Sequence, residues 1–347
     1  MKVSVVIPVF NNEATVGAAL ESVFAQRFDR PFEVIVVNDG STDGTGMELK
    51  KFRDRIRVIE QNRRGVAGAR NVGINAAVGE YIALLDADDA WTDDKLAKTV
   101  PVLDQNPSSV AVFSDAWVME EPGRFLLPNY VTAGYDHTPT LDELLNPASW
   151  PILPTTIVAR RDMMIAIGGF PEQFAASDYG CEDTFAFLLM RERGEITFVS
   201  EKLAWYRMPN WEEKLTKRLG RIRSNGDGKF RSGFEDPFEY FRGNRVFARL
   251  MRERFGVRGH GLAGKVVDGA AQELAMMGMK AMHEGDRGYA RKCYIASLRH
   301  RRLWLKTWFR LGWATLPRAV SHRISPVLPP GLRRSLSGPP FLEERTQ

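Results

Sequence analysis

Cysteine is scarce in this chain, with only 2 in 347 residues, so no disulfide framework can staple it and the reading is a protein of a reducing compartment. Histidine is scarce too, at 5, and none lies near Cys181 in sequence, so Cys181 reads as a small packed residue and not a nucleophile. No stretch approaches the roughly 18 apolar residues of a membrane span. The first apolar run, Val3 to Phe10, gives way to Asn11-Asn12-Glu13, which reads as a first strand and not a secretion signal. A cytoplasmic location is expected. Val9-Phe10-Asn11-Asn12 also lacks the glycine-rich, basic loop that would cradle a triphosphate after that strand.

What is present is a set of polar turns after short apolar runs. Tyr81 to Leu85 reads as a buried strand, and Asp86-Ala87-Asp88-Asp89 follows it directly. Carboxylates in that position sit at the rim of a sheet, where open α/β folds bind ligands. Three in four positions repel one another unless a cation is present, and hard oxygen ligands suit Mg²⁺ or Mn²⁺, which also bind diphosphate oxygens. The alternative is a solvated acidic turn capping the helix that starts near Thr92. Asp93 and Asp94 read as first-turn residues complementing that helix's dipole.

Strands are expected at 3–9, 33–37, 56–60, 80–85 and 109–113, and helices at 13–26, 45–54, 66–77 and 92–105. The alternation predicts an α/β fold with a mainly parallel sheet covered by helices on both faces. Gly259-His260-Gly261-Leu262-Ala263-Gly264-Lys265-Val266 imitates two phosphate-binding patterns. It has no good strand before it and no Ser or Thr after its lysine, so it reads as a linker between helices.

Five segments carry a resemblance: Val3 to Glu13; Asn38-Asp39-Gly40-Ser41; Asn62 to Ile74 with its Ala69-Arg70-Asn71; Asp86 to Asp89; and Gly168-Gly169-Phe170 ahead of Glu182-Asp183. In this order and spacing they resemble the family 2 glycosyltransferases, inverting enzymes that use a nucleotide-diphosphate sugar. The resemblance covers residues 1 to about 207 and implies a glycosyltransferase A-type fold. It implies a donor half at about 1–115 and an acceptor half at about 116–207; beyond the resemblance, the basic, glycine-containing composition reads as a basic loop or lid at 208–236. A helical extension at 237–324 and a poorly packed tail at 325–347 complete the expected organisation.

The resemblance also assigns roles. Pro8, Val9, Phe10 and Asn12 would line the donor site, and Asp39 would accept a hydrogen bond from the base, although a helix N-cap is the other reading of Asp39. Arg70 would face the donor phosphates. Asp86 and Ala87 would touch the ribose or sugar side, Asp88 would hold Mn²⁺ or Mg²⁺, and Asp89 has a less fixed role. Asp183 would be the general base, with Glu182 the fallback. Arg207, in Trp205-Tyr206-Arg207, would lie near the diphosphate, or else be a surface arginine. Processive synthases of the wider group carry Gln-x-x-Arg-Trp and membrane spans; this chain shows neither, so single addition is expected.

The donor expected by family frequency is a UDP-sugar, and the acceptor a glycan or lipid-linked hydroxyl in cell-surface glycan synthesis. The competing readings are a sugar-nucleotide-forming nucleotidyltransferase and a non-catalytic nucleotide-sugar-binding module. Residues 287–334 hold twelve Lys or Arg and no acid. That composition suits contact with an anionic membrane surface, peripheral on its inner face, or a basic outer face of packed helices. No pattern there supports nucleic-acid binding.

Overall fold

A computed structural model describes residues 1–121, 124–127, 130–131, 135–145, 152–174, 182–208, 237–283, 286–300 and 305–315. Cys181, most of the basic segment 208–236 and the tail 325–347 lie outside the described residues. The chain divides into two units, Met1–Asn210 and Trp211–Gln347.

In the first unit, β1 (Val3–Val9), β2 (Phe32–Asn38), β3 (Arg57–Glu60) and β4 (Tyr81–Leu84) pair in parallel in the order β3-β2-β1-β4. β1, β2 and β4 are short, largely buried apolar runs, as central parallel strands must be, whereas β3 is a largely exposed edge strand. Beyond β4 the sheet becomes mixed. β8 (Ile157–Arg160) is antiparallel to both β4 and β6 (Ser109–Glu121), while β9 (Glu195–Arg207) runs parallel to β6. Two short strands complete it: β5 (Ala90–Trp91) on β9 and β7 (Arg124–Leu127) on β6, both antiparallel. The α/β class expected from sequence is therefore present, with antiparallel pairings added on the far side of β4.

Helices cover both faces. Val5, Ile7, Val34, Val36 and Ala83 pack against α1 (Val16–Phe24), α2 (Thr45–Lys50) and α4 (Lys95–Gln105) through Leu20, Val23, Leu49, Leu96 and Leu103. The opposite face, with Val6 and Val37, meets α3 (Gly65–Ala76) at Gly73, where an added Cβ would collide with the Val6 side chain. Burying these runs is the main stabilising term, at about 25 cal/mol per Å² of apolar surface. The remaining helices of this unit are α5 (Leu141–Leu145), α6 (Arg161–Ala166) and α7 (Glu182–Arg191).

Lys95, at the start of α4, is an unusual component of this core. It is fully buried, and its Nζ donates to the Thr156 carbonyl at 2.8 Å while lying 5.5 Å from the Trp91 ring centroid. Trp91 Nε1 donates to the neighbouring Thr155 carbonyl at 2.8 Å, so the pair pins the turn before β8. Burial pushes the Lys95 amine down to about 7. Between that value and the ordinary 10.5, the unfolded chain binds the extra proton and the folded chain does not, so stability rises with pH across the window. Lys95→Met should flatten this rise: its stability advantage over the wild type is largest near pH 7 and shrinks toward pH 10, as read by denaturant unfolding at each pH.

The second unit contains α8 (Pro237–His283), α9 (Arg287–His300) and α10 (Leu305–Thr315). Their shared core is small and alanine-rich: Ala281, Ala290, Tyr294 and Ala314, flanked by Met279, Met282, Tyr289 and Leu311. Residues 259–266, expected as a linker, lie inside α8. Glycine in a helix costs about 1 kcal/mol relative to alanine. Gly261 and Gly264 need no special backbone angle here, and the buried series Ala263, Ala270, Leu274 outweighs that cost. No helix among the described residues is long and apolar enough to cross a membrane.

Candidate functional site

Because β1, β2 and β4 are parallel, their carboxyl ends deliver Phe10-Asn11-Asn12, Asp39 and Asp86 to Asp89 to one edge of the sheet. The backbone pairing continues past the strands: the Asp39 N–H donates to the Val9 carbonyl at 2.9 Å, and the Leu85 N–H to Val6 at 3.1 Å. β9 ends at the same edge, since Ala90 pairs with Trp205, which brings Arg207 beside the acidic turn.

The first two loops lock together. Asn11 adopts a positive φ of 53°, and its Oδ1 accepts from the Thr42 N–H at 2.8 Å. The Asn12 N–H donates to Thr45 Oγ1 at 2.8 Å, and its Oδ1 accepts from the Phe10 N–H at 3.2 Å. The Arg63 guanidinium lies 3.8 Å from the Phe10 ring centroid, a cation–π contact over the strand end. Pro8 and Val9 are buried in β1, so in this geometry their backbone, and not their side chains, adjoins the edge.

Asp39 is 3% exposed, and both oxygens are engaged. Oδ1 accepts from Gln61 Nε2 at 2.6 Å and from the Arg64 N–H at 2.7 Å; Oδ2 accepts from the Gly65 N–H at 2.8 Å. The carboxylate thus caps α3, two segments downstream, where the N-terminal amides and helix dipole favour an anion. Asp43 takes the capping place at α2, accepting from the Thr45 N–H at 3.0 Å. A carboxylate oxygen has two lone pairs, so Oδ2 retains one acceptor position for an incoming N–H.

Arg70 sits inside α3 with its side chain 4% exposed. Nη2 meets Asp86 Oδ1 at 2.7 Å, and Nη1 meets Glu182 Oε1 at 3.2 Å. One guanidinium therefore joins the acidic turn to the start of α7. The resemblance expects it beside the donor phosphates; here it is paired with two carboxylates, with which any phosphate contact would be shared. Burial opposes its charge, but Asp86 and Glu182 outweigh burial and hold it firmly protonated.

The acidic turn divides by environment. Asp89 is 2% exposed, and its Oδ1 accepts from the Arg207 N–H at 2.8 Å. Burial first, then the charges of Asp88 and Asp86, push its carboxyl well above the ordinary range. Asp86 is compensated by Arg70. Asp88 is half-buried, and its backbone carbonyl accepts from Arg207 Nε at 2.8 Å. Arg207 therefore packs on the turn itself and is not a detached surface residue.

Among the described residues no three His, Cys, Asp or Glu side chains form a metal cage. Mg²⁺ and Mn²⁺ need none when substrate phosphates complete the shell, one or two carboxylates being sufficient. The Asp86 and Asp88 carboxylates fit that donor set, whereas Asp89, buried and accepting from the Arg207 N–H, does not.

Glu182 and Asp183 open α7 and have different surroundings. Glu182 is 8% exposed and bound to Arg70. Asp183 is half-buried, and its Oδ1 accepts from the Thr184 N–H at 2.6 Å. Burial, reinforced by the Glu182 charge and opposed by Arg70, pushes Asp183 up to about 7. A carboxylate tuned near neutrality is matched to proton removal at pH 7.

The pairs across this edge were not legible in the sequence. Asn71 grips the Gly168-Gly169-Phe170 segment at both ends of its amide: Nδ2 donates to the Phe170 carbonyl at 2.8 Å, and Oδ1 accepts from the Phe170 N–H at 2.7 Å. Gly169 has φ +68°, and an added Cβ would strike the Asn71 amide. Arg64 makes a forked pair with Glu172, at 2.8 and 2.9 Å, a few residues on. The adjacent glycines were the one local signal for this contact, since two of them mark a backbone that must pass close to something.

Residues 4–164 match the family model described as glycosyl transferase family 2. Over 102 residues the chain is 38% identical to glycosyltransferase GlyA of Streptococcus pneumoniae, covering 28% of this chain and 14% of that one. It is 32% identical over 166 residues to UDP-Glc:alpha-D-GlcNAc-diphosphoundecaprenol beta-1,3-glucosyltransferase WfgD of Escherichia coli, covering 44% of this chain and 64% of WfgD. The matched part is thus under two thirds of the length of these relatives. In fold the chain is similar to S. aureus TarS 1–349, with a TM-score of 0.58 at 18% identity over 97% of this chain and 90% of that one. The similarity to glycosyl transferase family 2 is thus carried by residues 4–164, a little under half of this chain.

Proposed function

We propose that the protein is an inverting glycosyltransferase that moves one sugar from a nucleotide-diphosphate donor, a UDP-sugar, to an acceptor hydroxyl in the synthesis of a cell-surface glycan. The observation that carries this reading is the Arg70 bridge. It fixes the carboxylate that adjoins the donor edge, Asp86, and the helix that bears the tuned base, Asp183, to one buried cation. The name of WfgD contains both a UDP-sugar and a lipid-diphosphate acceptor, which supports the donor class and a lipid-linked acceptor.

In this reading Phe10, Asn12 and Asp39 receive the nucleotide, and Asp86 with Ala87 adjoins the sugar side. Arg207 and Arg70 supply positive charge at the edge. A divalent cation held by Asp88 and Asp86 would supply Lewis-acid stabilisation of the departing diphosphate. Asp183 accepts the proton of the acceptor hydroxyl as its oxygen bonds to the anomeric carbon. The bond from that carbon to the diphosphate oxygen breaks, its electron pair leaves with the nucleotide, and configuration inverts.

The stereochemistry is testable without the natural acceptor, because water can replace it. Proton NMR of the sugar first released from an α-linked UDP-sugar should show the β anomer before mutarotation. Release of the α anomer would contradict a single displacement, and pyrophosphate turnover with a sugar phosphate would favour the nucleotidyltransferase reading.

A further inference from the structure

The second unit combines cations and outward apolar side chains on adjoining helices. From Arg287 to Thr315 the chain has eight Lys or Arg and no Asp or Glu. On α9 the exposed positions Arg291, Lys292, Ile295 and Arg299 recur at three- and four-residue spacing and share one face, opposite buried Ala290, Cys293, Tyr294 and Ser297. Ile295 is 39% exposed in the middle of that basic stripe. On α10, Thr307 and Ala314 are buried and Leu311 packs into the small core. This inward row leaves Trp308 on another face, 52% exposed.

Cations around an aliphatic side chain on α9, with an outward indole on the adjoining α10, have the chemistry of helices that rest in a headgroup layer. The cations meet anionic lipid, and the amphipathic ring sits at the boundary with the acyl chains. We propose that α9 and α10 form a docking surface for an anionic lipid bilayer. The charge pattern selects this occupant. A second copy would present cations to cations, and a phosphate backbone would leave Ile295 and Trp308 without apolar partners. Docking here is peripheral, and the inference stands independently of the reaction proposed above.

The test is co-sedimentation of the full-length chain with phosphatidylcholine vesicles, with and without phosphatidylglycerol. Binding should require phosphatidylglycerol and weaken with added salt. Each cation near an anionic surface contributes about 1 kcal/mol, roughly fivefold, so the triple variant Arg291→Gln, Lys292→Gln, Arg299→Gln should partition about a hundredfold more weakly. Trp308→Ser, on the outer face, should also weaken binding while leaving the circular dichroism spectrum unchanged. Equal binding to neutral vesicles, no binding to either kind, or an unweakened triple variant would overturn the proposal. So would dimerisation through this face, lost in Trp308→Ser, in a chain that ignores vesicles.

Discussion

Asp183→Asn is expected to lower the rate of sugar transfer by about 10²–10⁴-fold, the contribution of a positioned general base. Donor affinity should be nearly unchanged. The amide keeps the size of the carboxylate and can still accept from the Thr184 N–H, so α7 should start as before. It cannot take a proton. In the wild type, kcat should rise with pH through about 7 as Asp183 ionises, and this limb should vanish from the residual activity of the variant. Single-turnover rates across pH 5.5 to 8.5 would read both effects. Full activity in Asp183→Asn would remove this residue as the base and transfer the role to Glu182. That alternative is weaker on geometry, because Glu182 is already bound to Arg70.

The second large effect is expected at Arg70. Removing one partner from a buried ion pair costs about 3–5 kcal/mol, since the remaining charge is left without compensation. Arg70→Met leaves two such charges, on Asp86 and Glu182, although Asp86 at 25% side-chain exposure recovers part of its hydration. A loss of that size lowers the midpoint of thermal unfolding by roughly 10 °C for a unit of this length. The substitution also removes the cation that opposes the rise of the Asp183 pKa, so the acid limb of kcat should move to higher pH. A merely structural arginine would lower stability without moving that limb. Arg70→Lys restores the charge but not the fork that reaches both carboxylates, so it should recover more of the pH profile than of the stability. A wild-type melting curve and pH profile in Arg70→Met would contradict the bridge.

How much of this was legible in the chain follows from the range of each interaction. β1, β2 and β4 are continuous apolar runs ended by polar turns, and their limits were readable to within about two residues because burial on both faces leaves no other pattern. β6 was read only as far as residue 113, yet it runs to Glu121. Its second half and β9 mix Trp, Tyr, Lys and Asp, and their strand character comes from pairing with each other over long sequence separation. β8, four residues long, had no signal of its own. The glycines at 259–266 suggested a break, and the alanine-lined packing of α8 overrode them.

The candidate site shows the same division. Asp39, the acidic turn and Glu182-Asp183 were visible because clustered carboxylates at strand and helix ends are conspicuous. Their assignments depended on partners that no local pattern reveals. Arg70 and Glu182 are 112 positions apart, and Asp89 and Arg207 are 118 apart. Burial then separates residues that look alike in sequence: Asp89 is buried, Asp86 is paired with Arg70, and Asp88 is half-buried at the edge.

The proposed function stands on a nucleotide-sugar site completed by a divalent cation at Asp88. Its most direct test is thermal unfolding against a panel of nucleotide-diphosphate sugars, each with and without Mn²⁺. A ligand at a hundred times its Kd adds about 2.7 kcal/mol, which raises the midpoint by roughly 5–10 °C. UDP-sugars should give a rise that requires Mn²⁺ and is lost in Asp88→Ala. Silence across the panel in a folded sample, or a rise that Asp88→Ala leaves intact, would contradict it.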